Sequence, residues 1–371
     1  MLDLQATIHV QINPHPTMKL ESIIGQLFIL GFNGPSIDPT HRIVADIRDR
    51  NLGGVILFDK LLAKNEARNN ITGPAQVKKL TISLQGHATT PLLVAIDQEG
   101  GMVKRLKAET GFPETASASD LGDHDDPTLT AIHAGCTAQT LNHLGINFNL
   151  APVVDLNIFP GNPVIGKIKR SFSDDPETVI RHATIWIQEH KKLNILSCLK
   201  HFPGHGSSRT DSHLGFTDIS TSWQEKELTP FKRLIAPASQ TRVESLMLGH
   251  LFNRNLDPQY PATLSRIVIQ DLLRTQIGFN GVVITDDLQM KAITDKYGLE
   301  ESVCLALAAG ADMVIVGNNL EYDPDFLKKI IPAIISAVKE KRIPERRICE
   351  AWQRVKNMKK YLSGSNRKRS D

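Results

Sequence analysis

Short, nearly continuous apolar runs alternate along this chain with longer stretches whose apolar positions recur every three or four residues. The runs at residues 53–58, 91–96, 146–154, 195–199, 244–248, 281–285 and 313–316 predict strands buried on both faces, and 26–32 adds an eighth. Helical spacing over 22–27, 42–50, 76–85, 127–144, 176–192, 229–235, 264–276, 299–309, 325–339 and 344–362 predicts the intervening helices. Asp174 or Asp175, followed by Pro176, supplies a helix start. No stretch of different composition and no Pro/Ser-rich linker divides the chain. The pattern predicts the α/β class and one (β/α)8 TIM-type barrel over residues 21–363, with a doubly wound sheet as the alternative. Residues 1–20 are expected to be an irregular extension and 364–371 a solvated basic tail.

One regularity favours the barrel. Asp97, Asp155, Lys200, His201, His250, Asp286 and Asn318 all fall at the C-terminal ends of predicted strands. In a barrel those ends open onto one rim, where active sites are built.

The 371 residues are 41% hydrophobic and 22% charged, ordinary for a globular protein. The formal net charge of +3 is too small to argue for nucleic acid. No apolar run approaches the roughly 20 residues of a membrane span. Residues 1–18 have neither a basic start nor an unbroken apolar core, so no signal peptide is read there. Cys136, Cys198, Cys304 and Cys349 are scattered without a CxxC, which fits reduced thiols in a cytoplasmic protein.

The densest chemistry lies between Lys200 and His213, Lys-His-Phe-Pro-Gly-His-Gly-Ser-Ser-Arg-Thr-Asp-Ser-His. Pro203, Gly204 and Gly206 forbid a regular continuation of the strand, so a loop carries His201, His205, Arg209, Asp211 and His213. Cations and imidazoles on such a loop suit an anionic or hydroxyl-rich ligand. Asp211, two residues before His213, is placed to fix one ring nitrogen and leave the other free to exchange a proton. A bound metal is the competing reading of His201 and His205. Phe-Pro-Gly between them cannot be helix interior and holds no Glu, so no metal is expected.

Asp97-Gln-Glu-Gly-Gly follows a clean strand. Asp97 can accept from sugar hydroxyls and Arg105 can donate to others, although a turn with a solvated acidic pair explains the stretch equally well. No Gly-x-Gly-x-x-Gly is present, so no dinucleotide is implied. Asp286-Asp287 closes another strand, and adjacent strand residues point opposite ways. Asp286 is the candidate nucleophile, and Asp287 is assigned either to capping the helix that follows or to supporting the site from behind. Arg170, in Arg-Ser-Phe-Ser-Asp-Asp-Pro, is the one residue of that segment sent to the pocket.

Together these segments resemble glycoside hydrolase family 3, in its single-domain β-N-acetylglucosaminidase branch. The matching pieces are Ala95-Ile-Asp-Gln-Glu-Gly-Gly, Asn149-Leu-Ala-Pro-Val-Val-Asp155, Arg170-Ser-Phe, Lys200-His-Phe-Pro-Gly-His-Gly with Asp211-Ser-His213, Gly249-His250 and Ile284-Thr-Asp-Asp-Leu-Gln-Met290. The resemblance implies a barrel and a retaining glycosidase. Asp286 would form a covalent glycosyl-enzyme. His213, paired with Asp211 on a mobile loop, would be general acid and then general base. Asp97, Arg105, Arg170, Lys200 and His201 would hold a terminal β-linked N-acetylglucosamine. It further implies muropeptides of peptidoglycan recycling as substrate and no cofactor or metal; the oligomeric state is left open, with a monomer favoured. The family usually has Arg after the paired Gly, where this chain has Met102, and the segment 165–169 before Arg170 looks longer than in the shortest members. Other readings of the same residues are a phosphorylase, a substrate-assisted hexosaminidase using Asp286 and Asp287, and a sugar-binding protein without turnover.

Overall fold

The structure, a computed structural model, describes residues 19–363 except His213 and Gln240. Of the extension expected over 1–20, residues 1–18 lie outside the described residues, as does the tail over 364–371, and Leu20 already opens a helix, Leu20–Gly25.

Among the described residues ten strands run in chain order: β1 (Phe28–Gly31), β2 (Gly54–Ile56), β3 (Leu93–Ile96), β4 (Gln98–Gly100), β5 (Val103–Lys104), β6 (Phe148–Asn149), β7 (Leu196–Phe202), β8 (Ser245–Leu248), β9 (Val282–Asp287) and β10 (Met313–Val316). Eight of them close a parallel barrel in the order β1-β2-β3-β6-β7-β8-β9-β10, and β10 pairs back onto β1 through Phe28 opposite Val314. The remaining two, β4 and β5, form an antiparallel hairpin on the rim directly after β3.

The barrel strands are continuously apolar because both their faces are buried: Val55, Val94, Leu246 and Val283 are fully shielded from solvent. Each such side chain contributes about 1.5–3 kcal/mol by leaving water. The outer helices start where the sequence provides starts. Pro74, Pro127 and Pro176 occupy first-turn positions, and the Asp175 carboxylate accepts from Thr178 N at 3.0 Å.

The strand expected over 146–154 is cut to Phe148–Asn149. Pro152 lacks an N–H for the ladder, and after it only an isolated bridge between Val153 and Lys200 continues the pairing. The segment expected as a helix over 264–276 is a π-helix, Ile267–Gln276, behind a short 3-10 turn. Nothing in its packing explains the wider winding. The peptide bonds Ala151–Pro152, Lys200–His201 and Phe202–Pro203 are cis.

At the N-terminal end of the barrel, fully buried Asp312 gathers Arg274, Arg347 and Arg354, joining two outer helices to the start of β10. Nearby, Lys359 is buried without a carboxylate. Its Nζ donates to Gln26 Oε1 at 2.8 Å and Gly53 O at 2.6 Å, and burial pushes its pKa down to about 7. The unfolded chain therefore binds this proton more tightly than the native one, so stability rises with pH above 7. The full effect is on the order of 4 kcal/mol, spread up to the free-lysine range near 10.4. Urea midpoints at pH 7 and pH 9 should show the rise, and Lys359→Met should flatten it.

Candidate active site

Of the side chains assigned to strand ends, those of Asp97, Lys200, His201 and Asp286 line one pocket of about 340 Å³, which Arg105 and Arg170 also line. Asp211 is next to the buried Ser212, which reaches the same pocket. His213 lies outside the described residues. Asn318 and His250 come from the same rim but serve the scaffold. Asn318 Nδ2 donates to Gly31 O at 3.1 Å, and the His250 ring nitrogens meet Thr263 Oγ1 at 2.8 Å and Asp287 O at 2.9 Å.

The base of the pocket is an ion network that local sequence does not reveal. Lys200, only 2% exposed, places Nζ 2.9 Å from Asp97 Oδ1 and 2.6 Å from Glu99 Oε1. Arg170 grips Glu99 with both arms, Nε to Oε2 and Nη2 to Oε1, each at 2.7 Å. Its Nη1 donates to Val164 O at 2.8 Å. Arg105 Nη2 reaches Asp97 Oδ2 at 3.3 Å, and its guanidinium lies over the Phe58 ring. Burial alone would raise the Asp97 carboxyl, but Lys200 and Arg105 hold it well below the usual carboxylate range. Glu99 is held low in the same way by Arg170 and Lys200. The network stays ionised at neutral pH, with two carboxylates facing three cations, so the pocket floor offers fixed donors and acceptors.

Glu99 is thus a residue the sequence reading missed: it is buried and doubly paired, not half of a solvated turn. The hairpin explains how. Gly100 and Gly101 take φ of +99° and +57°, turning the chain sharply enough to send Glu99 inward.

Asp155 supplies a second buried anchor. Its Oδ1 accepts from His205 N at 2.8 Å, and its Oδ2 accepts from His201 Nδ1 at 2.7 Å. His201 N also donates to the same carboxylate, at 3.1 Å. Burial works against this charge; His201 and then His205 restore it and hold the carboxyl low. With Nδ1 donating to Asp155, Nε2 of His201 is left to accept from Arg170 Nη2 at 3.2 Å. Both ring nitrogens are therefore occupied. His201 was expected to hold a sugar hydroxyl; in this arrangement it braces Arg170. His205 Nε2 meets Ser212 Oγ at 3.2 Å, and burial followed by the neighbouring His201 lowers its pKa to about 4, which leaves it neutral at physiological pH. The backbone makes this packing possible at Gly206, where a Cβ would lie 1.6 Å from Leu156 O.

Asp286 and Asp287 both line the pocket, where strand alternation alone would admit one, but their carboxylates are held differently. Asp287 Oδ1 accepts from Gln289 N and Gly317 N, both at 3.0 Å, which ties the following turn to β10. It does not cap a helix, since the next one begins at Lys291. Asp286 Oδ1 accepts from Asp287 N at 2.8 Å. That bond orients a carboxylate in the wall of the same pocket as the Asp97–Lys200 pair. Among the described residues, no group of three or more His, Cys, Asp or Glu side chains is placed to hold a metal ion. None of the described helices is long and apolar enough to cross a membrane.

A family model described as the glycosyl hydrolase family 3 N-terminal domain matches residues 19–358. The chain is 37% identical over 297 residues to a beta-hexosaminidase of Tolumonas auensis, covering 78% of this chain and 82% of that protein. It is 30% identical over 355 residues to a beta-hexosaminidase of Alkalilimnicola ehrlichii, covering 94% and 96%. A solved glycoside hydrolase family 3 beta-N-acetylglucosaminidase from Paenibacillus sp. str. FPU-7 superposes with a TM-score of 0.84 at 35% identity. That superposition spans 94% of this chain and 63% of the longer Paenibacillus chain.

Proposed function

The chain belongs to glycosyl hydrolase family 3, a family of glycoside hydrolases, and on that premise we propose that it is a retaining exo-β-N-acetylglucosaminidase. In this reading Asp97, Arg105, Arg170 and Lys200 bind the hydroxyls of a terminal N-acetylglucosamine, and His201 holds Arg170 in place. Asp286 attacks the anomeric carbon as the bond to the leaving oxygen breaks, giving a glycosyl ester. His213, oriented by Asp211, gives its proton to the leaving oxygen. It then takes one from the water that cleaves the ester. An imidazole titrates nearer neutrality than a carboxyl and serves both halves of the cycle. Residues 211–213 would close over bound sugar. The substrates are peptidoglycan fragments, processed in the cytoplasm by a monomer, without metal or cofactor.

The observation that carries this reading is the shared pocket, with an oriented carboxylate in its wall and a fixed ionic network at its floor. A 2-fluoro N-acetylglucosaminide analogue with a good leaving group tests it. The second step should stall, and mass spectrometry of the digest should find the sugar on the peptide containing Asp286. Label elsewhere, or turnover without label, would discard the proposed nucleophile.

A further inference from the structure

Eight large hydrophobic side chains are exposed among the described residues. Three of them, Leu62 at 56%, Met102 at 68% and Leu320 at 39%, line the candidate active-site pocket. The floor of that pocket is ionic, and these three stand with Val103, Ile168 and Met290 in the rest of its wall. Single exposed apolar residues are ordinary, but a cluster around one pocket marks a contact surface.

These residues are held in place by their surroundings. Leu62 N donates to Asn319 Oδ1 at 3.0 Å, and Ala63 N donates to Asn319 O at 2.7 Å. The loop after β2 is thereby bonded to the loop after β10, and Leu62 and Leu320 sit on either side of that junction. Lys64, over the Tyr322 ring at 4.5 Å, closes the same pair of loops. Met102 sits in the β4–β5 turn, whose Gly101 packs so closely on Ser117 that a Cβ there would lie 2.4 Å from Ser117 Cβ. Lys107, just beyond the hairpin, pairs with Asp59 at 2.7 Å and anchors it to the loop that carries Leu62. The three side chains therefore belong to loops bonded to one another, so their exposure is built in.

We infer that Leu62, Met102 and Leu320 form an apolar aglycone subsite that selects the leaving group. The favoured aglycone has an apolar face beside the glycosidic oxygen, as in an alkyl or aryl group. A fully hydroxylated sugar is disfavoured. The inference rests on the glycosidase reading proposed above. If the charged floor takes the terminal sugar, the next group along must pass these three residues. It would cover them and release the water they order. Met102 carries no charge to attract an anionic aglycone.

The test uses hexyl and methyl N-acetyl-β-glucosaminides, whose leaving alcohols are similarly basic, and their sulfur-linked analogues, which resist cleavage. Calorimetry should find the hexyl thioglycoside bound about tenfold more tightly than the methyl one, a ratio that burial of about two methylenes supplies. The triple variant Leu62→Gln, Met102→Gln, Leu320→Gln should bring the ratio close to one. Equal affinities in the wild type, or a ratio that survives in the variant, overturns the subsite. Release of N-acetylglucosamine from both oxygen glycosides at equal kcat/KM would leave the glycosidase reading standing and remove the aglycone subsite. Binding of the thioglycosides with no release from either oxygen glycoside would remove the hydrolase reading, and the affinity ratio would still decide the subsite.

Discussion

Asp286→Asn is expected to lower kcat on an aryl N-acetylglucosaminide by about 10⁴-fold, in the range seen when a single member of a catalytic constellation is removed. The substitution is nearly isosteric. The amide oxygen can still accept from Asp287 N, a bond that orients the carboxylate, so the strand end keeps its shape. What disappears is the negative charge and the lone pair that would form the ester. Because an aryl leaving group needs little protonation, the loss reports on the attacking group and not on the proton donor. Single-turnover kinetics with a thermal unfolding scan make the measurement. A variant that keeps more than about a hundredth of the activity would have to draw its nucleophile from elsewhere, and the retaining assignment would fall.

Glu99→Ala is expected to cost about 3–5 kcal/mol of stability, the usual penalty for stripping one partner from a buried ion pair. The size follows from what Glu99 holds. Both arms of Arg170 and the ammonium of Lys200 end on its carboxylate, and all three side chains are nearly buried. Without it, two cations face Asp97 alone, and Arg170 keeps only Val164 O and the His201 ring. Urea unfolding measures the stability term. Sugar affinity should fall as well, because Lys200 and Arg170 lose their fixed positions. Glu99→Gln keeps hydrogen-bond acceptance and removes the charge, so it should lie between the two. A loss below about 1 kcal/mol would mean that water or a shifted Asp97 replaces the carboxylate, as happens for exposed pairs.

The two substitutions also mark what local sequence can and cannot reveal. Asp97, Lys200, His201 and Asp286 were legible because each interrupts an apolar run where a strand should end, and a parallel barrel turns that position into proximity. Glu99 was not. Its partners lie 71 and more residues away, and the side chain beside a Gly-Gly turn looks solvated until Arg170 arrives. His201 was legible as a site residue but not in its bracing role, which depends on Asp155 reaching it from the neighbouring segment. Pro152 did carry a visible signal. A missing N–H in the middle of a predicted strand should have shortened that strand, and it does. The buried Lys359 sits on a helix whose pattern reads as amphipathic, and only the barrel floor beneath it shows that its ammonium meets carbonyl oxygens instead of water.

The pairing that closes the barrel carries a consequence for biosynthesis. Residue 28 of β1 finds its second neighbour only at residue 314 of β10. A ribosome moving at roughly 5–20 residues per second needs tens of seconds to cover that interval. Throughout it, one margin of the nascent sheet lacks the strand that will pair with it. Translation pauses late in the reading frame should therefore increase chaperone dependence more than pauses near its start.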